Sequence, residues 1–201
     1  MEFLNTVFFG NSVLEWAIGA GVATIVLLVL EGVKAFLIRQ LTRLSDRTVN
    51  EWDDLVVAIL RKTRFFFLLA LAVIAGAQLV ELSERVRDII RALTFLATLL
   101  QIGFWGTAGI EVGLGRYSTK RMEEDAAEAT TVRFVGFLLR LVLWVLIALV
   151  ALDTAGVDIT AMVAGLGVGG IAVALAVQNV LGDLFASLSI VLDKPFVIGD
   201  F

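Results

Sequence analysis

The sequence contains no cysteine, no histidine and a single proline, and only 18% of its residues are charged. Without thiols or imidazoles it lacks disulfides, the usual soft metal ligands and the commonest general base at neutral pH. We therefore expect no catalytic residue, no metal site and no cofactor, so the chain is not expected to be an enzyme. The formal charge of −4 offers no basic field, which excludes nucleic acid as an expected partner.

The sequence is rich in hydrophobic residues, which make up 59% of the chain and give it a mean hydropathy of +0.95. This balance predicts a membrane protein, with lipids as its surroundings. About twenty apolar residues cross a hydrocarbon layer roughly 30 Å thick. Candidate spans of that kind lie near residues 11–38, 65–82, 89–110, 134–152 and 159–192. The predicted fold is all-α and transmembrane, with five membrane-spanning helices.

Basic residues are distributed unequally between the two sides that five spans would define. One side has ten basic residues in its loops and the other has three. The ten are Arg39, Arg43, Arg47, Arg61, Lys62, Arg64, Arg116, Lys120, Arg121 and Arg133, and the three are Arg85, Arg87 and Arg91. Because basic loops stay in the cytoplasm, we predict the amino terminus outside and the carboxyl terminus inside.

Three charged residues inside the spans have local interpretations. Glu31 and Lys34 stand three residues apart in the first span, which predicts an ion pair on one helix face. For Arg140 in the fourth span we favour a side chain that snorkels to the cytoplasmic surface. The alternative is that Arg140 meets a lipid phosphate or an acidic partner.

The last span differs from the others in its small residues, which fall on two faces of a helix at 100° per residue. One stripe consists of Ala161, Gly165, Gly169, Ala172 and Ala176, and the other of Ala164, Gly167, Gly170 and Ala174. A third row between them consists of Val168, Ile171, Leu175 and Gln178, with Ala164 at its outer end. Small residues let helices approach closely in lipid, so two stripes indicate two close neighbours.

Copies of this helix could form a closed ring, in which one stripe of each copy packs against the other stripe of the next copy. The third row would then line a pore, and rings of Ile171 and Leu175 would close it by dewetting. The alternative is that the stripes pack a monomeric bundle, and the pattern alone leaves both interpretations open.

The last span is also longer than the membrane is thick, because 34 residues at about 1.5 Å each make a rod of roughly 50 Å. Polar residues first occur at Gln178, and Asn179 and Gly182 are poor helix formers. We therefore predict a hinge at Asn179 and Gly182 in this long, kinked, glycine- and alanine-rich helix. Pro195 is expected to end it.

Gly165, Gly167 and Gly170 also match the G-x-G-x-x-G pattern of dinucleotide-binding folds. That fingerprint requires a preceding strand and a soluble sheet. Membrane spans flank this one, so we reject the match.

The stretch Leu152-Asp-Thr-Ala-Gly-Val-Asp to Gly182-Asp-Leu-Phe-Ala-Ser187, with Asp193-Lys-Pro-Phe-Val-Ile-Gly-Asp200, resembles the pore helix and first β-domain residues of small-conductance mechanosensitive (MscS-like) channels. The resemblance covers roughly the last fifty residues of the chain. It implies a homoheptamer in the bacterial inner membrane that opens under tension and releases ions and small solutes on hypo-osmotic shock. The two gate rings of the family match Ile171 and Leu175. The family's hinge glycines match Asn179 and Ser187, where this sequence departs from the pattern.

The resemblance also suggests a division of the chain. Residues 1–133 would form N-terminal sensor helices with a charged linker, and 134–194 the channel core with the pore helix. Residues 195–201 would begin a cytoplasmic β-domain that the sequence does not continue. A secondary transporter and a non-conducting membrane scaffold remain the alternatives, although paired broken helices with ionisable residues, typical of transporters, are not evident.

Overall fold

A computed structural model describes residues 6–8, 10–45, 51–119 and 126–193. The described chain is almost entirely helical, which confirms the predicted all-α class. Its helices are α1 (Val13–Ser45), α2 (Glu51–Arg61), α3 (Phe65–Ala77), α4 (Glu84–Thr119), α5 (Ala126–Thr154) and α6 (Thr160–Asp193). A two-residue antiparallel ladder precedes them, in which β1 (Val7–Phe8) pairs with β2 (Asn11–Ser12).

Among the described residues, four helices are long and apolar enough to cross a membrane. They contain the candidate spans Val13–Arg43, Glu84–Gly115, Thr130–Thr154 and Thr160–Ile190. The predicted second span, 65–82, is instead the shorter apolar helix Phe65–Ala77. Its 13 residues rise about 20 Å, less than a hydrocarbon layer of roughly 30 Å. A fifth complete crossing therefore stays a prediction.

The start of α1 is held by side chains of its own first turn. The backbone N–H of Ser12 donates to the Glu15 carboxylate (2.7 Å), and the backbone N–H of Glu15 donates to the Ser12 hydroxyl (3.2 Å). This reciprocal pair is a capping box, which satisfies donors that the first turn leaves open. The predicted ion pair of Glu31 and Lys34 is confirmed further along α1, at 3.5 Å.

A buried asparagine ties the chain before α1 to the connection between α3 and α4. Asn11 is 2% exposed, and its side-chain amide donates to the backbone carbonyl of Glu81 (2.7 Å). Its amide oxygen accepts the Glu81 backbone N–H, also at 2.7 Å. Both polar ends of the amide are satisfied, as a buried polar group requires.

Helices α1 and α3 cross at glycines. A Cβ on Gly19 would lie 2.7 Å from a methyl of Val80, and one on Gly76 would lie 2.9 Å from the Cβ of Ala23. Only hydrogen fits at these two positions without displacing a neighbour, so the two backbones approach closely.

Helices α4 and α5 meet in a different way, with large side chains of α5 against glycines of α4. A Cβ on Gly103 would lie 2.8 Å from Ile147, and one on Gly106 would lie 2.7 Å from Leu143. Beside these contacts Phe104 and Trp144 stack edge to face with ring centroids 5.5 Å apart. Helix α4 continues to Thr119 and α5 begins at Ala126, and the residues between them lie outside the described part of the chain.

By its contacts the chain divides into two compact units, residues 1–151 and 152–201. The first contains α1 to α4 and nearly all of α5, and the second contains the turn before α6 and α6 itself. The functional division expected at residue 133 stays a prediction. The segment expected to begin a β-domain, 195–201, and the expected helix stop at Pro195 lie outside the described residues.

Candidate pore-lining helix

A glycine in the left-handed conformation ends α5. The backbone N–H of Val157 donates to the carbonyl of Leu152 (3.0 Å), and that of Gly156 donates to Asp153 (2.9 Å). This pair of bonds is the Schellman motif, and Gly156, with φ at +82°, occupies its left-handed position. The chain therefore leaves α5 sharply, and only five residues separate α5 from α6.

An aspartate caps the start of α6. The backbone N–H of Thr160 donates to the Asp158 carboxylate at 2.9 Å, which satisfies one of the donors that the first turn leaves open. Hydrogen bonds from the Thr160 hydroxyl and then from its backbone N–H lower the pKa of Asp158 below its ordinary value. The charged carboxylate is therefore the form that the helix start favours.

All of the pore residues predicted from the sequence lie in α6, which is one continuous α-helix from Thr160 to Asp193. Continuity puts Val168, Ile171, Leu175 and Gln178 on one face, because residues three and four apart are neighbours on a helix. The two stripes of small residues keep their faces for the same reason. Whether these faces line a pore or meet a neighbour stays a prediction.

The hinge predicted at Asn179 and Gly182 lies within this unbroken helix, so a bend there also stays a prediction. At the second position where the family has a glycine, the Ser187 hydroxyl donates to the backbone carbonyl of Asp183 (2.9 Å). A serine bonded back to the preceding turn satisfies its hydroxyl within the helix and often bends it slightly.

The large apolar residues of α6 are not covered by any part of the second unit that the structure describes. The exposed fractions are 69% for Val168 and 64% for both Ile171 and Leu175. The glycines of α6 have open space around them as well. A Cβ built on Gly165, Gly167, Gly169, Gly170 or Gly182 would meet no heavy atom of the described part of the second unit within 4 Å, apart from the adjoining backbone. In this respect they differ from Gly19, Gly76, Gly103 and Gly106.

In the first unit, a buried glutamine holds the turn between α2 and α3. The sequence analysis did not predict this role. Gln101 of α4 is 0% exposed; its amide donates to the Lys62 carbonyl (3.2 Å), and its amide oxygen accepts the Arg64 backbone N–H (2.8 Å). One turn along α4, Trp105 donates its indole N–H to the Thr63 hydroxyl at 3.0 Å. Together these bonds fasten residues 62–64 to α4, and we call the set the Gln101 anchor.

Charged side chains extend the anchor toward α5. The carboxylate of Glu111 in α4 lies 3.0 Å from the Lys62 ammonium and 3.9 Å from the Arg140 guanidinium. Arg140 also donates to the carbonyl of Gly136 in its own helix (3.0 Å). Arg140 therefore has an acidic residue beside it, as the alternative hypothesis expected, while snorkelling to the membrane surface stays a prediction.

The sequence did contain a signal for the anchor. Gln101 interrupts the apolar run Leu99-Leu100-Gln101-Ile102-Gly103, and an amide in a membrane span needs a partner. The partners could not be named, because they are backbone groups 37 and 39 residues earlier in the chain. Only the tertiary contact of α4 with the turn after α2 identifies them.

Comparison with known proteins gives the family context. A family model described as "Mechanosensitive ion channel, transmembrane helices 2/3" matches residues 137–178, which are the greater part of α5 and the first half of α6. The match therefore includes the Schellman turn, Asp158 and both predicted gate residues. No solved structure matches the chain significantly.

Individual relatives agree with the family match. Over 83 residues the chain is 46% identical to a large-conductance mechanosensitive channel of Methanocaldococcus jannaschii, covering 41% of this chain and 22% of that protein. It is 25% identical to a small-conductance mechanosensitive channel of the same organism, over 98% of this chain and 57% of the relative. An uncharacterized MscS family protein of Bacillus subtilis is 26% identical, over 100% of this chain and 54% of the relative.

The apolar helices define a helical membrane protein, and the matched segment is similar to the transmembrane helices of mechanosensitive ion channels. More narrowly, the chain is similar to MscS-like mechanosensitive channels, in the segment matched by the family model and in its relatives. Two of these matches include nearly all of this chain, but the chain spans little more than half the length of either relative.

Proposed function

We propose that this chain is the membrane part of a mechanosensitive channel, in which copies of α6 surround a pore that membrane tension opens. The assembly is a homo-oligomer, a heptamer by its family resemblance, in the bacterial inner membrane with the carboxyl terminus in the cytoplasm. Its role is to release ions and small solutes on hypo-osmotic shock. Names of relatives and the matched family segment support the channel class.

The observation that carries this proposal is the set of glycines on α6 that meet nothing within the second unit. A glycine inside a helix costs about 1 kcal/mol relative to alanine. Five such positions in one helix, each with open space where a Cβ would be, have no compensating contact in the described part of that unit. Close approach of a neighbouring copy would provide that compensation, since small residues let membrane helices pack tightly.

The exposed aliphatic row of α6 supports the proposed gate. If the glycine stripes contact neighbours, Val168, Ile171 and Leu175 point between them, toward the axis. A ring of branched aliphatic side chains there keeps a narrow pore dry, and an ion does not cross it because it would lose its hydration. Stretching the bilayer favours the conformation with the larger in-plane area, in which the rings separate and water enters.

Pressure-clamp recording from reconstituted protein tests the proposal. We expect pressure-evoked currents, and we expect Leu175→Ser to open at lower pressure because a hydroxyl helps the constriction to wet. The loss of one leucine's hydrophobic contribution is of the order of 2 kcal/mol per protomer. The threshold pressure of each variant, referenced to a second channel in the same patch, is the quantity to compare.

The matched control is Leu166→Ser, the same substitution on the opposite side of α6, where the residue is 50% exposed. It should leave the threshold close to that of the original protein. If no variant gives pressure-evoked current, the channel proposal fails. If Leu166→Ser and Leu175→Ser shift the threshold equally, the assignment of the gate to the Ile171 and Leu175 row is wrong.

A further inference from the structure

A groove in the first unit consists of connected cavities around α3. One cavity, of about 240 Å³, lies between α1, α3 and α4 and is lined by apolar side chains that include Trp16, Ala20 and Val73. A second, also about 240 Å³, continues between α3 and α4 toward Phe66 and Ala97, and the two share Val73 and Ile90. Each exceeds the roughly 150 Å³ apolar cavity that is known to hold a benzene-sized ligand.

The groove opens into a third cavity whose lining is different. This cavity, of about 230 Å³, shares Ala77, Leu82 and Ile90 with the first, and its charged lining residues are Arg87 and Arg91. The two arginines are four residues apart in α4 and so lie on one face. We call this end of the groove its mouth. Arginine is well suited to bind phosphate, because its guanidinium presents several N–H donors in one plane.

We propose that this groove binds one phospholipid, with its phosphate at Arg87 and Arg91 and an acyl chain along α3. The apolar lining matches hydrocarbon, and the cationic mouth matches the phosphate. The proposal requires the chain to be in a bilayer but does not require it to conduct ions.

The length of the groove fits a lipid of one leaflet. From Gln78 at the mouth to Phe66 at the far end, α3 and its following residue advance about 18 Å. Half of a hydrocarbon layer of roughly 30 Å is about 15 Å. The groove is therefore long enough to hold most of an acyl chain of one leaflet. The crossing of α1 and α3 at Gly19 and Gly76 borders the same cavity.

Charges around the mouth indicate that phosphate, rather than net headgroup charge, is recognised. Arg91 lies 3.4 Å from the carboxylate of Asp88, and Arg87 donates to the backbone carbonyl of Leu82 at 3.2 Å. Each guanidinium has five N–H donors, so these contacts leave most of them for a ligand. Because Asp88 balances one positive charge, zwitterionic phosphatidylethanolamine and anionic phosphatidylglycerol should both bind. Diacylglycerol, which has no phosphate, should not.

Native mass spectrometry of the full chain in detergent can count bound lipid. The protein is titrated with dioleoyl-phosphatidylglycerol, dioleoyl-phosphatidylethanolamine or dioleoylglycerol. We expect both phospholipids to be retained, and the Arg87→Gln/Arg91→Gln variant to retain about tenfold less of each, because two charge-assisted contacts are lost. Arg85→Gln is the control, since Arg85 is exposed on the same helix and is not among the residues that line the mouth.

Filling the groove tests the acyl-chain site separately. Ala20 lines the apolar cavity and Ala17 does not, although both are exposed on α1. Ala20→Phe should reduce phospholipid retention severalfold, and Ala17→Phe should not. Circular dichroism checks that each variant is folded. Equal retention by all folded variants, or retention of dioleoylglycerol as strong as that of phospholipid, overturns the proposal.

A protection experiment needs no disruptive substitution. The chain has no cysteine, so Ala77→Cys introduces a single thiol that lines both the apolar cavity and the mouth. Added phosphatidylglycerol should slow the reaction of this thiol with N-ethylmaleimide about fivefold or more, as expected for an occupied site. The thiol of Ala17→Cys should react at an unchanged rate. An unchanged rate at position 77 under saturating phospholipid contradicts the proposal.

Discussion

Gln101 shows at the scale of one residue how a membrane protein uses a polar side chain. Its amide is fully buried and replaces two hydrogen bonds that the backbone lacks where α2 ends and α3 begins. An unsatisfied backbone group in an apolar surrounding costs about 1–3 kcal/mol. The side chain therefore stabilises a turn in a segment 37 or more residues away from it in sequence.

Replacing the amide by a hydrocarbon of similar size should expose this dependence. Gln101→Leu leaves the Lys62 carbonyl and the Arg64 N–H without their partner, and we expect unfolding to become easier by about 2 kcal/mol or more. Thermal unfolding of the purified protein in detergent measures the change. Gln78→Leu, at an exposed glutamine, should alter stability by less than about 0.5 kcal/mol. Equal effects of the two substitutions would show that the Gln101 anchor contributes nothing special.

Asp158 makes the start of α6 sensitive to acid. Its pKa is lower in the folded protein than in the unfolded chain, so its contribution is complete above the ordinary aspartate value of about 3.9. The contribution is lost as the pH falls through the lower folded value, because the protonated carboxyl is a weaker acceptor. We expect the hydrogen-exchange protection factor of the Thr160 amide to be constant between pH 7 and pH 5 and to fall below about pH 4.

Two variants separate the charge from the hydrogen bond. Asp158→Asn keeps a side-chain oxygen and should protect the Thr160 amide equally at every pH, whereas Asp158→Ala should lose protection throughout. A protection factor that falls in acid to the same extent in Asp158→Asn would assign the acid response to another group.

At the scale of helices, glycines have two different roles in this chain. Gly19 and Gly76 allow α1 and α3 to touch, whereas Gly21 in the same α1 has open space where a Cβ would be. The same substitution should therefore have opposite effects at these positions. The gain in helix propensity from glycine to alanine, about 1 kcal/mol, is the same at Gly76 and Gly21. The space around each glycine therefore decides whether the substitution stabilises or destabilises the protein.

We expect Gly76→Ala to destabilise the protein by about 1–2 kcal/mol, because the added methyl would overlap Ala23 and force α1 and α3 apart. Gly21→Ala should stabilise it by up to about 1 kcal/mol. Both changes can be measured by thermal unfolding in the same detergent. Stabilisation by Gly76→Ala would mean that α1 and α3 do not cross as closely as the structure shows.

At the scale of the whole molecule, the question is whether the chain assembles through α6. Five glycines of α6 have no contact within the second unit that a Cβ would disturb, and a ring of copies is the arrangement that we propose for them. A secondary transporter or a non-conducting scaffold built from one chain does not require such a ring. The mass of the particle therefore distinguishes the proposed channel from both alternatives.

Light scattering of the detergent-solubilised protein should give the mass of a ring, a heptamer of 21.7 kDa chains by the proposal. Gly169→Leu places a large side chain in a stripe of small residues, so we expect it to reduce the assembled fraction at least about tenfold. Val173→Leu adds hydrocarbon on the side of α6 opposite the Ile171 and Leu175 row, outside both stripes of small residues, and should assemble normally. A monomeric mass for the original protein would refute assembly through α6.

Particular residues show how far sequence reasoning reached. It predicted helical segments that agree with α1, α4, α5 and α6, since a long apolar run needs no knowledge of its neighbours to be recognised. Its family resemblance, based on residues 152–200, is confirmed by the match to residues 137–178 and by the relatives. It gave no separate role to the short helix α2, and it favoured a snorkelling Arg140 where the structure pairs this residue with Glu111.

The sequence by itself determined the lipid surroundings of this protein, its main helices, the faces of α6 and its resemblance to MscS-like channels. These properties follow from residues close together in the chain, because transfer into lipid is additive along a segment and helical periodicity is local. Only the tertiary structure decided that Gln101 holds the turn after α2, that Gly76 meets Gly19, and that a groove with arginines at its mouth follows α3. Each of these depends on which distant segments touch, and the order of residues along the chain does not specify the partner of a buried amide or the edge of a cavity.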